Sequence, residues 1–316
     1  MIATAPAERR YFFLSWSHDG SRIAGLGPGV DENGDGRTVL DILDAEGRLL
    51  HGDTTQAESL FIAWEPDGMR LAAHADDRLL RVDPDGSTSD LGAVGTDFFA
   101  PKWIPSTNEI LLVTDIEGSS FVVRRSIEGS DSLRSLGPAE PRLGISVSPD
   151  GTVAAISRSF DTESDPAAER IDLPVLPQTA RTRSGSVEIL DLETGERAEV
   201  FTGFTLWVEW NPRGTHLLIY EANVAAGTGT WWVHEHVPGQ EPTPALEIVA
   251  FTPTPIFESS YLLFADQFIE TPRLWSPDGT QFVYAELADD GSLIRTADAD
   301  GVATPGIVGA GEVGFW

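Results

Sequence analysis

Apolar residues along this chain recur in short alternating stretches, not at helical spacing. Six times a strand-like stretch closes on a large side chain, crosses a polar turn and re-enters a second apolar stretch. The copies are FLSWSHDGSRIAGL from Phe13, FIAWEPDGMRLAAH from Phe61, KWIPSTNEILLVT from Lys102, ISVSPDGTVAAIS from Ile145, VEWNPRGTHLLIY from Val208 and RLWSPDGTQFVYA from Arg273. In the SPDG-type turn, Pro presets φ, Asp bonds its own backbone and Gly accepts φ > 0, so each copy predicts a β-hairpin. A second hairpin with an acidic Gly turn follows in VLDILDAEGRLL from Val39, LLRVDPDGSTSDL from Leu79, VEILDLETGERAEV from Val187 and LIRTADADGVAT from Leu293. Each unit therefore reads as four antiparallel strands.

The closing positions are Trp16, Trp64, Trp103, Val147, Trp210 and Trp275, with Trp316 ending the chain. They lie roughly 40–65 residues apart, about the length of a propeller blade with insertions. A lone blade cannot bury both faces, and stacking blades around an axis covers them. The fold class read here is all-β, a β-propeller of six four-stranded antiparallel blades. Seven blades is the alternative, because Gly311–Trp316 resembles the first strand of a further unit. Residues 1–10 read as a tail and 11–316 as a single propeller domain. Insertions at 160–183 and 251–271 interrupt the repeat, and loops of that length are functional or flexible.

WSPDG followed by a short apolar strand and a DxxG turn resembles the TolB-type propeller repeat, which also occurs in the propellers of prolyl oligopeptidases. The likeness covers about residues 10–316 and implies architecture more than function. Three copies depart from it: IPSTN replaces SPDG in the third, Val147 replaces Trp in the fourth, and Arg213 replaces Asp in the fifth.

Charge changes the picture of partners. With 21 basic and 50 acidic residues the formal net charge is −29, which disfavours nucleic acid and anionic membranes. Lys102 is the only lysine, and the other basic residues are arginines. The absence of cysteine excludes disulfides, thiolate nucleophiles and Cys-ligated zinc. No basic leader with an apolar run opens the sequence, and no apolar window is long enough to span a bilayer, so membrane insertion is not expected. The expectation is a monomer, cytoplasmic by default and extracytoplasmic if the N-terminus is trimmed or incomplete.

Two groups could hold a metal. Asp31-Glu32-Asn33-Gly34-Asp35-Gly36-Arg37 is the opening half of a calcium loop, with Asp31, Asn33, Asp35 and the Arg37 carbonyl as ligands. The ligand that should close it is missing: Val39 and Ile42 stand at the ninth and twelfth positions, and only Asp41 is near. A solvated acidic turn is the competing reading. Trp231-Trp232-Val233-His234-Glu235-His236 is strand-like, which puts His234 and His236 on one face. If the strand from Thr215 pairs beside it, His216 joins them as a third imidazole for zinc or another transition metal. Carboxylate pairs such as Asp76-Asp77 and Asp289-Asp290 read as turns. The slot tryptophans read as core, with Trp231 and Trp232 the better candidates for facing a ligand.

No G-x-S-x-G elbow and no glycine-rich phosphate loop is present. The preferred function is a non-enzymatic scaffold that binds a protein or peptide through one ring face or the central channel, where acidic turns favour cationic partners. The alternatives are a metal-dependent hydrolase or lyase, and a sensor or accessory part of a larger protein.

Overall fold

The computed structural model describes residues 10–316 apart from 67, 69, 96–99, 129–132, 140–142, 162–182, 263–264, 266–272 and 290. The chain divides into two compact units, Met1–Ala139 and Glu140–Trp316.

The first unit holds three four-stranded sheets. Sheet one is β1 (Phe13–Trp16), β2 (Arg22–Val30), β3 (Gly36–Asp44) and β4 (Leu49–Ala57). Sheet two is β5 (Leu60–Trp64), β6 (Leu71–Ala75), β7 (Arg78–Val82) and β8 (Thr88–Ala93). Sheet three is β9 (Lys102–Trp103), β10 (Glu109–Ile116), β11 (Ser119–Ser126) and β12 (Leu133–Pro138).

The second unit begins with sheet four: β13 (Leu143–Val147), β14 (Val153–Asp161), β15 (Arg183–Asp191) and β16 (Arg197–Thr202). Sheet five is β17 (Thr205–Trp210), β18 (His216–Asn223), β19 (Thr228–Glu235) and β20 (Leu246–Phe251). Sheet six has three full strands, β21 (Gln281–Ala288), β22 (Gly291–Asp298) and β23 (Gly306–Ala310), with Trp275 bridged to Phe282 where a first strand belongs. Each sheet is built from strands consecutive in the chain, all paired antiparallel.

The repeat governs register. Every closing position pairs with the residue seven places on: Trp16 with Ile23, Trp64 with Leu71, Trp103 with Ile110, Val147 with Ala154, Trp210 with Leu217 and Trp275 with Phe282. A turn of constant length between the two strands fixes this offset, as hairpin geometry requires. In turns one, four and six, Ser17, Ser148 and Ser276 donate from Oγ to Asp19, Asp150 and Asp278. Each Asp also accepts the backbone N–H and hydroxyl two residues on, from Ser21, Thr152 and Thr280. The glycine that follows sits at φ near +70° (Gly20 69°, Gly151 71°, Gly279 68°), a region where an L side chain is strained.

The slot tryptophans connect neighbouring sheets. Trp64 Nε1 donates to Ser15 O at 3.0 Å, and Trp103 Nε1 to Ala63 O at 2.9 Å. Trp210 Nε1 donates to Ser146 O at 3.0 Å, and Trp275 Nε1 to Glu209 O at 3.1 Å. In every case the acceptor is the residue just before the preceding sheet's closing position. Val147 has no such N–H to give, and the boundary between the two units falls just ahead of its strand. Trp64, Trp103, Trp210 and Trp275 are at most 5% exposed, so they pack the core.

An apolar cluster of the second unit joins Trp207, Tyr220, Trp231, Phe251, Phe257, Trp275, Phe282 and Tyr284. Phe257 comes from the 251–271 insertion, whose π-helical turn, Phe257–Tyr261, packs here. The insertion's start runs beside sheet six, where Leu287 N bonds Thr252 O and Pro253 bridges Glu286. The 160–183 insertion runs between the second and third strands of sheet four, from Asp161 to Arg183, and its residues 162–182 lie outside the described residues.

Gly311–Trp316 does not begin a seventh blade. It folds back on sheet six: Thr254 Oγ1 donates to Glu312 O, a Cβ on Gly314 would press on Ile294 and Val283, and Trp316 N bonds Arg273 O at 2.9 Å. The sequence reads as a strand because its apolar residues alternate, and it meets that pattern by covering an existing sheet.

Candidate functional site

The acidic loop between β2 and β3 is closed by its own arginine. Asp31 Oδ1 accepts from the backbone N–H of Asn33 at 2.8 Å and of Asp35 at 3.0 Å. Asp31 Oδ2 accepts Nη2 and Nε of Arg37 at 2.9 and 3.3 Å, and Arg37 Nη1 reaches Glu58 Oε1 at 2.7 Å. The Arg37 guanidinium thus supplies the positive charge a cation would bring. Backbone donors, with Arg37, hold the Asp31 carboxyl below its usual range. Asp41 is buried in β3, taken up by Tyr11 Oη at 2.8 Å and Asp53 N at 2.7 Å. Among the described residues no three His, Asp or Glu side chains form a group that could hold a metal ion.

Register separates the histidines. His216 pairs with Glu235, whereas Leu217 pairs with His234. Cross-strand partners share a face, so His216 lies on the face of sheet five opposite to His234 and His236. Accordingly His216 packs by Trp275 of sheet six, and His236 meets Trp210 edge-on at 5.4 Å. His234 is fully buried. Its Nδ1 lies 2.8 Å from Thr243 O, which must be an N–H donating to a carbonyl, so Nε2 is left as an acceptor without a partner. Burial pushes all three imidazoles below the ordinary value, with the neighbouring histidines adding to the effect at His234.

The opposite face of sheet five carries features that motif reading missed. Glu209 immediately precedes a slot tryptophan and is 6% exposed. Its carboxyl accepts Trp207 Nε1 at 3.1 Å and Leu274 N at 3.2 Å, and no arginine or lysine among the described residues forms an ion pair with it. Burial pushes its pKa up to about 8, against the pull of those donors and of the Arg273 charge. Tyr220 and Trp231 pair across β18 and β19 with ring centroids 5.0 Å apart. Both are fully buried, and among the described residues neither Tyr220 Oη nor Trp231 Nε1 has a hydrogen-bond partner. Glu258, on the π-helical turn, acts electrostatically on Tyr220. Trp231 is therefore core, while Trp232 is half-buried and donates to Glu221 Oε2 at 2.9 Å.

A sequence signal for Glu209 does exist in the repeat. The residues ahead of the closing positions are Ser15, Ala63, Lys102, Ser146, Glu209 and Leu274. Small or apolar side chains hold four of these places. The two ionisable exceptions, Lys102 and Glu209, are both buried.

No family model matches the chain, and no curated relative matches it. Solved structures do. Oligogalacturonate lyase from Vibrio parahaemolyticus superposes with a TM-score of 0.58 at 10% identity, covering 97% of this chain and 80% of that one. The β-propeller domain of the trilobed protease from Pyrococcus furiosus gives 0.53 at 11% identity, covering 96% and 86%. TolB from Acinetobacter baumannii gives 0.50 at 15% identity, covering 96% of this chain, which spans only 63% of that protein's length. No helix among the described residues is long and apolar enough to cross a membrane. Six antiparallel sheets of consecutive strands, together with these likenesses, identify the fold as a six-bladed β-propeller.

Proposed function

We propose that this propeller is a scaffold that binds a basic protein or peptide. The observation that carries the reading is the placement of its turn carboxylates. In an antiparallel four-stranded sheet, the turn joining the first two strands and the turn joining the last two lie at the same end. Asp19, Asp44 and Asp85 occupy such turns in the first unit, and Asp150 and Asp278 in the second. Hydrogen bonds from Ser, Thr and backbone N–H hold Asp19, Asp85, Asp150 and Asp278 below their usual range, Asp19 at about 2, and the backbone and guanidinium of Arg48 hold Asp44 low. They stay charged at any physiological pH, within a chain of net charge −29. Crosslinking capture with the intact protein, at low and at high salt, tests the reading. A basic partner whose recovery falls with salt is expected. Capture of no partner, or of one indifferent to salt, would overturn it.

A second reading, an acid–base enzyme on the same fold, is favoured by Glu209. A carboxyl pushed to about 8 exchanges protons near neutral pH, as a general acid or base must. The lyase among the structural neighbours is consistent with that reading and with no particular substrate. Glu209→Gln separates the two: it leaves partner capture intact under the first reading and abolishes turnover under the second.

A further inference from the structure

The six outer strands of a propeller are free sheet edges, and five of these six carry a charged side chain. Asp53 lies in β4, Asp90 in β8, Arg134 in β12, Arg197 and Glu199 in β16, and Glu247 in β20. Charges on an edge strand block pairing with another chain. β23, with the sequence GIVGA, has none. Ile307 is 62% exposed and Val308 66%, and Val302 in the preceding turn is 84% exposed. A register shift next to the outer strand occurs in all six sheets, so it does not set β23 apart.

Its surroundings state the charge of an occupant. Asp298 and Asp300 precede β23, and Glu312 follows it with its carboxylate on the Ser292 hydroxyl. An apolar edge between acidic ends, on a chain of −29, repels a second copy of itself and attracts an apolar strand flanked by cations. We propose that β23 is a docking edge for an extended, apolar peptide segment with basic residues at its ends, which adds as a further outer strand to sheet six. The proposal rests on the scaffold reading and names one surface for it.

The test uses the whole protein and a seven-residue peptide alternating valine and threonine between terminal lysines, with a copy N-methylated along one edge as control. N-methylation removes backbone donors and leaves charge and side chains in place. The expected result is binding of the first peptide, at least tenfold weaker binding of the methylated copy, and at least tenfold weaker binding of the first peptide to Val308→Lys. Val308→Lys should keep the wild-type melting temperature, since its side chain is exposed. Equal binding of both peptides, or undiminished binding to Val308→Lys, would overturn the edge. A dimer of the wild type that Val308→Lys dissolves would overturn the peptide assignment in favour of a second copy. If the edge fails while salt-sensitive capture of a basic partner persists, the scaffold reading stands without it.

Discussion

At Tyr220 the hydroxyl is buried against aromatic rings and has no hydrogen-bond partner among the described residues. A buried unsatisfied hydroxyl costs about 1–3 kcal/mol, so deleting it should not harm the fold. Tyr220→Phe is expected to leave urea-unfolding stability unchanged or raise it by about 1 kcal/mol. A clear loss would mean that the hydroxyl has a partner in solution. His234 makes the opposite kind of prediction, one about pH. Burial lowers its folded pKa beneath the unfolded value of about 6.5, so the native state favours the neutral ring. The stability it confers is complete above that unfolded value and is lost as pH falls through and below it. His216 and His236 shift in the same direction and share the effect. Glu209, raised to about 8, is protonated in the fold over this range and stabilises it as pH falls, so the imidazole effect is read as a difference: from pH ~7.5 down to ~5, His234→Gln should gain unfolding free energy relative to the wild type. The turn carboxylates, held low, enter only at more acidic pH.

Among the elements, the first hairpins were the most legible in the sequence, because turn chemistry and the Trp slot specify the same seven-residue offset. Sidedness was less so. The shared face of His234 and His236 follows from a strand's two-residue period, whereas the place of His216 depends on the exact β18–β19 pairing, and a one-residue slip reverses it. The Asp31 loop had the composition of a cation site, but the role of Arg37 turns on which way one long side chain folds. Glu209 and the unpartnered Tyr220 and Trp231 depend on what the 251–271 insertion and the next sheet lay over them, which no local pattern encodes. The indole links between sheets were also invisible, although the slot itself was plain. They predict that Trp103→Phe strands the Ala63 carbonyl and costs about 1–3 kcal/mol in urea unfolding. Trp16→Phe, at a slot 39% exposed, should cost much less. Equal losses would mean that packing, and not the indole bond, sets the stability of the slot.

The whole molecule is dominated by its charge. Fifty carboxylates against 21 basic groups leave like charges facing one another over the surface, and such self-repulsion opposes the compact state. Some of it is relieved locally: Arg37 bridges Asp31 and Glu58, and Arg70 bridges Glu65 and Glu128. Other carboxylates, among them Asp19, Asp150 and Asp278, rely instead on turn donors, which fix a charge in place without neutralising it. The remainder acts over distances comparable to the Debye length, about 10 Å at ~0.1 M salt and about 3 Å at ~1 M. Added salt should therefore stabilise this protein. The melting temperature is expected to rise steadily between ~0.05 and ~1 M sodium chloride. It should rise equally with potassium chloride if screening is the cause, and unequally if a specific cation binds. The same screening should weaken capture of a basic partner, so stability and affinity should move in opposite directions along one salt series. A protein whose stability and partner capture both rose with salt would have its acidic surface engaged in specific cation binding, and the scaffold reading would lose its electrostatic basis.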